Sequence, residues 1–444
     1  MAGVAGGTND LTITGNLDLD GAATGLGFLS VSGTSNLGAN VTTATTQTYT
    51  GAVTLSGGVR TLTGTTVTFS AGATGTALVM DAAAVLNGDV NTGVNNQTYN
   101  GTVSLTGGAR TLTAGTVTFN GAVTGTAALT VSGAVALNAN VNTGAGNQTY
   151  TGAATLGGTR TLTGGTINFG STLAGGGFDL TITGNLDLDG AATGLGFLSV
   201  SGTSNLGANV TTATTQTYTG ATTLSGGNRT LAGTTINFGS TLDGGAAALT
   251  VTGNLDLDGA ATNLTTLSVS GTSNLGANVT TSGTQTYTGA VTVSGGAVTR
   301  TLTGAVRFNA GVTGGGTESL TVVGNTTLGA NVLFSNLVGL TLDGTVDGDI
   351  AGRTLTIDIS GTLNLTGAVG GTQNLGAFTV EAANQVDLQA ITVAGGAIIV
   401  GNTTPVPTIN VNGVLTTTGA ATGALLLSGG GITISAAPVV GATN

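Results

Sequence analysis

Internal repetition is the feature of this 444-residue sequence that most constrains its fold. Residues 11–52 recur without change at 180–221, and a third, slightly diverged copy begins at Leu249. A shorter tag, QTYTG or QTYNG, contains all five Tyr residues and begins at Gln47, Gln97, Gln148, Gln216 and Gln285. Successive tags are 50, 51, 68 and 69 residues apart, so the long units exceed the short ones by about 18 residues. A fold that accepts whole insertions of this size is built from structural units of about 18 residues.

Within each unit, apolar and polar residues alternate with a period of two. Leu11 and Ile13 alternate with Thr12 and Thr14, and many segments of the chain repeat this pattern. Such alternation, bounded by Gly, Asn and Asp, is typical of β-strands. Three short strands with tight turns fill about 18 residues, which is one coil of a solenoid whose parallel strands lie about 4.8 Å from the next coil. The sequence therefore predicts an all-β, single-stranded parallel β-helix of about 25 coils, with about 18–20 residues in each.

Two series of apolar residues recur in steps of 18. They are Ile13, Val31, Tyr49, Val67, Val85 and Val103, and Leu19, Leu37 and Leu55. The 50-residue unit does not divide evenly by this step and would need three slightly short coils. A Phe follows each tag Tyr at a slightly longer distance, as Phe69 follows Tyr49. Such pairs either stack along the solenoid axis or are ordinary inward residues that share a repeat.

Composition excludes several classes of protein. Gly is abundant at 82 residues, but it does not occupy every third position and Pro occurs three times, so the chain is not collagen. Cys and His are absent, which removes disulfide scaffolds and thiolate metal sites. The net charge of −11 argues against a nucleic-acid partner. The sequence has no uninterrupted apolar run of about 18 residues, so no transmembrane helix is predicted.

The repeats suggest four regions along the chain. Residues 1–10 form an N-terminal lead-in, and residues 11–330 form the repetitive solenoid. The tag is lost in residues 331–400, which we interpret as a diverged continuation. Residues 401–444 contain Pro405 and Pro407 and are expected to form an irregular coil or cap, because Pro cannot donate to a β-ladder.

Paired carboxylates are the best candidates for chemistry. The motif NLDLDG occurs three times, and each copy contains one such pair: Asp18 with Asp20, Asp187 with Asp189, and Asp256 with Asp258. Residues i and i+2 of a strand share a face about 7 Å apart, which would suit an inverting glycosidase. Threefold repetition instead favours a structural element, and the usual bases and nucleophiles His, Cys and Lys are missing. We therefore expect no enzyme activity.

Calcium is the one cofactor that these side chains suggest. The three Asp pairs, together with Asp343, Asp347 and Asp349 in DGTVDGD, offer the oxygen ligands that calcium prefers. Neither segment follows an EF-hand or a glycine-rich nonapeptide pattern. The favoured interpretation is a solvated acidic face that keeps the solenoid soluble.

Two further motifs have structural and functional interpretations. Arg-Thr-Leu follows each tag, and an Arg beside a Gly-rich corner can bind carbonyls freed by the turn or pair with an Asp of a neighbouring coil. Thr pairs such as Thr12 and Thr14 suggest an ice-binding face. That face needs hydroxyl pairs on nearly every coil, and the intervening LSVS and NLGAN segments are expected to interrupt it.

The repeat style is similar to that of a known class of proteins. QTYTGAVTL at 47–55, RTLTGTTVTF at 60–69 and LSVSGTSNLGANVTT at 29–43 resemble repeat regions of large bacterial surface exoproteins of the filamentous-haemagglutinin and two-partner-secretion type. The resemblance covers about residues 11–330. It implies a right-handed parallel β-helix, export to the cell surface, and a role in adhesion or in building fibres and layers.

These observations favour a non-catalytic, extracellular structural protein of a bacterial cell surface. Its expected partners are other copies of itself, with cell-surface glycans or a host surface as further partners. An ice-binding or glycan-binding β-solenoid is the first alternative, and a polysaccharide-processing β-helix enzyme is the second.

Overall fold

A computed structural model describes residues 3–401, 407–418 and 425–435. The described residues form parallel β-strands without a helix. They divide into two compact units, Met1–Thr219 and Gly220–Asn444. In each unit the strands stack as a β-solenoid, and the two units together contain about 21 turns. The predicted all-β parallel solenoid is confirmed.

The first unit consists of short strands joined by tight corners. Its strands are Val4–Ala5, Leu11–Ile13, Leu17–Leu19, Ala23–Leu26, Leu29–Val31, Ser35–Leu37, Val41–Thr43, Thr46–Tyr49, Val53–Leu55, Arg60–Phe69, Ala73–Gly75, Leu78–Leu86, Val90–Asn91, Gln97–Tyr99, Val103–Leu105, Arg110–Phe119, Val123–Gly125, Leu129–Leu137, Val141–Asn142, Gln148–Tyr150, Ala154–Leu156, Arg160–Phe169, Leu173–Ala174, Leu180–Leu188, Ala192–Leu195, Leu198–Val200, Ser204–Leu206, Val210–Thr212 and Thr215–Tyr218.

Three strands make one coil of this unit, as predicted. We name the three sides of the coil face A, face B and face C after the strands Leu11–Ile13, Leu17–Leu19 and Ala23–Leu26. Each pairs in parallel with its counterpart on the next coil, and further pairings continue the three ladders through the unit. Long strands such as Arg60–Phe69 bend round a corner, so that their first half lies on face C and their second half on face A.

The coil length varies, which corrects one of the two predicted series. Leu19, Leu37 and Leu55 do pair with one another in the predicted step. Tyr49, however, pairs with Phe69 and not with Val67, because the corner between Leu55 and Leu62 is longer than the corner between Leu37 and Val41 on the preceding coil. The estimate of about 25 coils was therefore too high.

The tag moves from face to face along the first unit. Tyr49 lies on face A, Tyr99 on face C, Tyr150 on face B and Tyr218 on face A again. A 50-residue unit contains eight strand positions, or two and two-thirds coils, which explains why it does not divide by 18. The additional segment of a long unit supplies one complete coil.

Inward Leu, Val and Ile side chains fill the narrow core, and the tag Tyr residues lie among them with no exposed surface. The rings of Tyr49, Tyr99, Tyr150 and Tyr287 each lie against a Phe ring one coil further along. The ring centroids are 5.8 Å apart for Tyr49 and Phe69, and 5.3 Å apart for Tyr150 and Phe169. The stacking interpretation is confirmed for Tyr150 and Phe169, whereas the rings of Tyr49 and Phe69 are tilted by 53°.

The second unit has the same three-sided construction. Its strands are Thr222–Leu224, Arg229–Phe238, Leu242–Asp243, Leu249–Leu257, Ala261–Leu264, Leu267–Val269, Ser273–Leu275, Val279–Tyr287, Val291–Val293, Thr299–Phe308, Val312–Gly314, Ser319–Val323, Thr326–Leu328, Val332–Ser335, Gly339–Asp343, Val346–Gly348, Thr354–Asp358, Thr362–Leu365, Ala377–Ala382, Gln385–Leu388, Ile391–Ala394, Ile398–Val400, Thr408–Val411, Leu415–Thr418, Leu425–Leu427 and Gly431–Ile434.

Coils lengthen toward the end of this unit. Leu340 pairs with Leu363, and Leu363 pairs with Val386, so each of these coils is longer than the coil that joins Leu19 to Leu37. This lengthening accounts for further coils missing from the original estimate. Pro405 lies outside the described residues, whereas the carbonyl of Pro407 accepts a hydrogen bond from the Gly430 amide at 2.9 Å.

Candidate functional site

The first Asp of each NLDLDG pair belongs to a column of hydrogen-bonded polar side chains. Asp18 points outward from the strand Leu17–Leu19, whose two Leu side chains are buried. Asn36, one coil further along, donates from Nδ2 to Asp18 Oδ1 at 2.7 Å. Ser56, on the coil after that, donates from Oγ to Asn36 Oδ1 at 2.8 Å. The carboxylate therefore takes part in joining consecutive coils.

Asp187 is held from both neighbouring coils. Asn168 Nδ2 donates to Asp187 Oδ2 at 2.8 Å, and Asn205 Nδ2 donates to Asp187 Oδ1 at 2.8 Å. Asn168 Nδ2 also contacts Asp189 Oδ2 at 3.3 Å. Both carboxylates of this pair therefore lie on one face, as their spacing predicts.

The third pair repeats this arrangement. Asp256 accepts hydrogen bonds from Asn237 Nδ2 at 3.0 Å and from Asn274 Nδ2 at 2.8 Å. Asp20 and Asp258 are exposed immediately after their strands, as Asp189 is. Because charge-assisted hydrogen bonds of this kind join coils in all three copies, a structural role explains the motif. The polysaccharide-processing alternative stays an untested prediction.

The three Asp residues of DGTVDGD have separate partners. Asp343 Oδ1 accepts a hydrogen bond from the Thr366 hydroxyl at 2.6 Å. Asp347 Oδ1 accepts one from the Thr372 amide at 2.9 Å. Asp349 forms ion pairs with Arg307 at 2.5 Å and with Arg353 at 2.7 Å.

Asp349 is the most strongly perturbed of these carboxyl groups. The hydrogen bond from Arg353 is the largest cause and lowers the pKa of Asp349 to about 2, with a smaller contribution from Arg307 against the opposing effect of desolvation. The same hydrogen bond raises the pKa of Arg353. Side chains in this cluster are 21–32% exposed, so solvent screens the pairs and their contribution to stability is modest.

Metal binding by these carboxylates stays a prediction. Within the described ranges, no group of three or more acidic side chains is placed to hold one metal ion. A pair of Asp residues supplies only part of the six to eight oxygen ligands that calcium takes. A calcium ion at any NLDLDG pair would need most of its ligands from water or backbone carbonyls.

The Arg of each Arg-Thr-Leu motif binds carbonyls at a corner. Arg60 Nε donates to the Gly58 carbonyl at 3.1 Å, and Arg160 Nε donates to the Leu137 carbonyl at 3.1 Å. Arg300 does the same with the Ser294 carbonyl at 3.0 Å. The predicted binding of turn carbonyls is confirmed for these motifs. Arg353, in the Arg-Thr-Leu that follows no tag, instead pairs with Asp349 four residues earlier in the chain, and not with an Asp of a neighbouring coil as predicted.

The tag Gln is a buried residue that sequence reasoning missed. Gln97 Nε2 donates to the carbonyls of Val90 at 3.0 Å and Thr113 at 2.9 Å, and its Oε1 accepts the Tyr99 hydroxyl at 2.9 Å. Gln47 and Gln148 make the equivalent bonds in their own tags. The signal was present in the sequence, because Gln precedes Tyr by two residues in every tag and residues i and i+2 of a strand face the same side.

Face A of the first unit carries a row of hydroxyl groups, which we name the hydroxyl stripe. Its members are at least partly exposed and occupy paired positions on successive coils, interrupted by Val85 and Asn142. They are Thr12, Ser30, Thr48, Thr68, Ser104, Thr124, Thr163 and Thr183.

The hydroxyl stripe corrects one expectation from the sequence. The LSVS segment does not interrupt the Thr pairs, because it places Ser30 and Ser32 beside Thr12 and Thr14. The corresponding rows on the other faces are mixed, with Asp18 and Asn36 on face B and Ala136 on face C. Face A is therefore distinct from face B, whereas the row on face C also consists mainly of Thr, among them Thr61, Thr98 and Thr118.

Comparisons with known proteins give no family for this chain. No family model, no curated protein and no solved structure matches it. The β-solenoid repeat architecture agrees with the resemblance to large surface exoproteins, whereas membership of that group is not established. The described strands and corners include no helix able to cross a membrane.

Proposed function

We propose that this chain is a non-catalytic structural protein whose solenoid units serve as stiff building material. The supporting observation is that its polar side chains form hydrogen bonds within the solenoid. The tag Gln and Tyr, the Arg of Arg-Thr-Leu and the first Asp of NLDLDG all bond to neighbouring coils or to corner carbonyls. Side chains that would supply chemistry in an enzyme are occupied in holding the coils together.

We further propose that the protein acts at a bacterial cell surface and associates with copies of itself. Its 6% content of charged residues leaves the faces weakly repulsive. Several apolar side chains are exposed at corners, among them Val94 at 90% and Val59 at 56% exposure. The resemblance to surface exoproteins supports the same location, with adhesion to glycans as an accompanying role.

Electron microscopy and sedimentation of the purified protein test self-association. We expect filaments or sheets above a threshold concentration, and a several-fold higher threshold for Val94→Asp, because a charge there opposes contact between apolar corners. Ala145 occupies the same position relative to the next tag, so Ala145→Asp is the matched control and is expected to have a smaller effect. Single particles at all concentrations would contradict the proposal.

The hydroxyl stripe supports ice binding as a second candidate function. Its hydroxyl groups recur about every 4.8 Å along the ladder, the spacing of adjacent strands. A second row, which includes Thr14, Ser32 and Thr50, runs beside it on the first coils. Two neighbouring rows of hydroxyl groups on one face offer ordered positions for water.

Thermal hysteresis measurements test this second candidate. We expect Thr48→Tyr to abolish hysteresis, because a bulky side chain in the hydroxyl stripe keeps the face away from a flat ice surface. Thr54→Tyr, on face B, is the matched control and should retain it. The candidate is wrong if the unmodified protein shows no hysteresis.

A further inference from the structure

A groove with a volume of about 570 Å³ lies in the second unit, where three consecutive coils turn the same corner. Its polar lining includes Asp243, Asn263, Thr265 and Ser282, and the buried Leu264 provides an apolar part. The volume lies within the range of about 300–1,000 Å³ that is typical of small-molecule sites.

The polar lining is specific to the third sequence copy. Asp243 corresponds to Ala174 in the second copy and to Ala5 in the first, judged by their equivalent ladder positions. Asn263 corresponds to Gly194 and Gly25, and Ser282 to Ala213 and Ala44. Three small apolar or glycine positions have thus become polar around one groove, against a background of near-identical repeats.

A coupled set of changes opens the same corner. In the second copy, the Phe197 amide donates to Asp179 Oδ1 at 3.0 Å, and a Cβ on Gly196 would lie 2.2 Å from that oxygen. The third copy has Ala248, Thr265 and Thr266 in place of Asp179, Gly196 and Phe197. Loss of the Asp makes room for Thr265, which brings a hydroxyl group into the lining of the groove.

The carboxylate in the groove is held in one orientation. Asp243 Oδ1 accepts hydrogen bonds from the Gly245 amide at 3.0 Å and from Asn263 Nδ2 at 3.0 Å. These bonds, the Gly245 bond first, lower the pKa of Asp243, so the group is ionised at neutral pH. Asn263 keeps a positive φ of 56°, where the equivalent Gly194 has 63°, so a side chain stands at a position that favours glycine.

We propose that this groove binds a neutral saccharide. An oriented carboxylate, an amide and several hydroxyl groups match the hydroxyls of a sugar, and Leu264 with the Thr methyl groups matches its C–H surface. The carboxylate disfavours anions, and a single carboxylate does not provide a metal site. This ligand site is additional to the proposed structural function and does not depend on it.

Loss of binding in a reverted groove is the first test. Cellotriose, maltotriose and triacetylchitotriose are titrated separately and followed by saturation-transfer NMR. We expect at least one to bind, and expect Asp243→Ala, Asn263→Gly and Ser282→Ala together to weaken it by about tenfold or more, because three polar contacts are lost. The triple variant should fold, since the other copies carry these residues, and circular dichroism checks this. Asp258→Ala is the control and should bind normally.

Transfer of the site is the second test. Ala174→Asp, Gly177→Ala, Phe178→Ala, Asp179→Ala, Gly194→Asn, Gly196→Thr, Phe197→Thr and Ala213→Ser rebuild the groove in the second copy. We expect a second equivalent of the same sugar to bind. The proposal is overturned if none of the three sugars binds, or if the triple variant binds a sugar as tightly as the unmodified chain does. It is also overturned if the groove binds putrescine or calcium and no sugar.

Discussion

Gln97 shows how one buried polar side chain can satisfy a whole corner. Its amide nitrogen donates to the carbonyls of Val90 and Thr113, and its oxygen accepts a hydrogen bond from the Tyr99 hydroxyl. Burial raises the pKa of Tyr99, so this hydroxyl stays protonated and donates at any ordinary pH. All three groups lie in a water-free core, where an unmade hydrogen bond is costly.

Removal of this amide is therefore expected to cost more than removal of the Tyr hydroxyl. Gln97→Leu removes the side-chain donor to the Val90 carbonyl and the acceptor of the Tyr99 hydroxyl, at about 1–3 kcal/mol for each buried group, whereas the Thr113 carbonyl keeps its hydrogen bond from the Thr92 amide. Tyr99→Phe leaves only one buried group, Gln97 Oε1, without its donor. Urea unfolding followed by far-UV circular dichroism should give a lower midpoint for Gln97→Leu than for Tyr99→Phe. Equal midpoints, or the reverse order, would show that the Gln97 amide does not stabilise the corner more than the Tyr99 hydroxyl does.

At the scale of strands and coils, the alternation of apolar and polar residues was sufficient to predict the strands. It was not sufficient to predict which residues of successive coils pair with each other. The in-and-out pattern identified Leu17–Leu19 and Val53–Leu55 directly. The step from one coil to the next depends on the length of each corner, such as the one between Leu55 and Leu62, and the alternation of apolar and polar residues does not show that length. The predicted series therefore failed at Val67, where one coil contains two additional residues.

The unknown pairing of residues between coils also limited the prediction of sites. The spacing of Asp187 and Asp189 was sufficient to place them on one face. Their Asn partners lie on neighbouring coils, so they could be assigned only once the ladders were known. The groove beside Asp243 was beyond prediction for the same reason, since its lining comes from three coils.

At the scale of the molecule, the repeat length determines where the reinforcing residues lie. A repeat of eight strand positions moves the tag by one face, so the buried tag Gln residues of the first unit occupy its three corners in turn. A repeat of nine strand positions would place every tag Gln at the same corner. The rotation distributes bulky Tyr and Phe residues around the core, because the solenoid interior has room for few of them at one level.

A whole coil should therefore be easier to remove than one residue. Deletion of residues 29–46 places Gln47 where Leu29 was, paired with Leu11, and keeps every later side chain on its original face. Deletion of Thr48 alone makes Gln47 and Tyr49 adjacent, so only one of them can point inward. In thermal unfolding followed by circular dichroism, we expect the coil deletion to melt within about 5 °C of the full chain, because stability in a solenoid is a sum over neighbouring repeats. The single deletion should melt lower than either, since it exposes a buried Tyr or a buried tag Gln. A Thr48 deletion that melts with the full chain, or a coil deletion that fails to fold, would contradict the three-strand coil as the unit of construction.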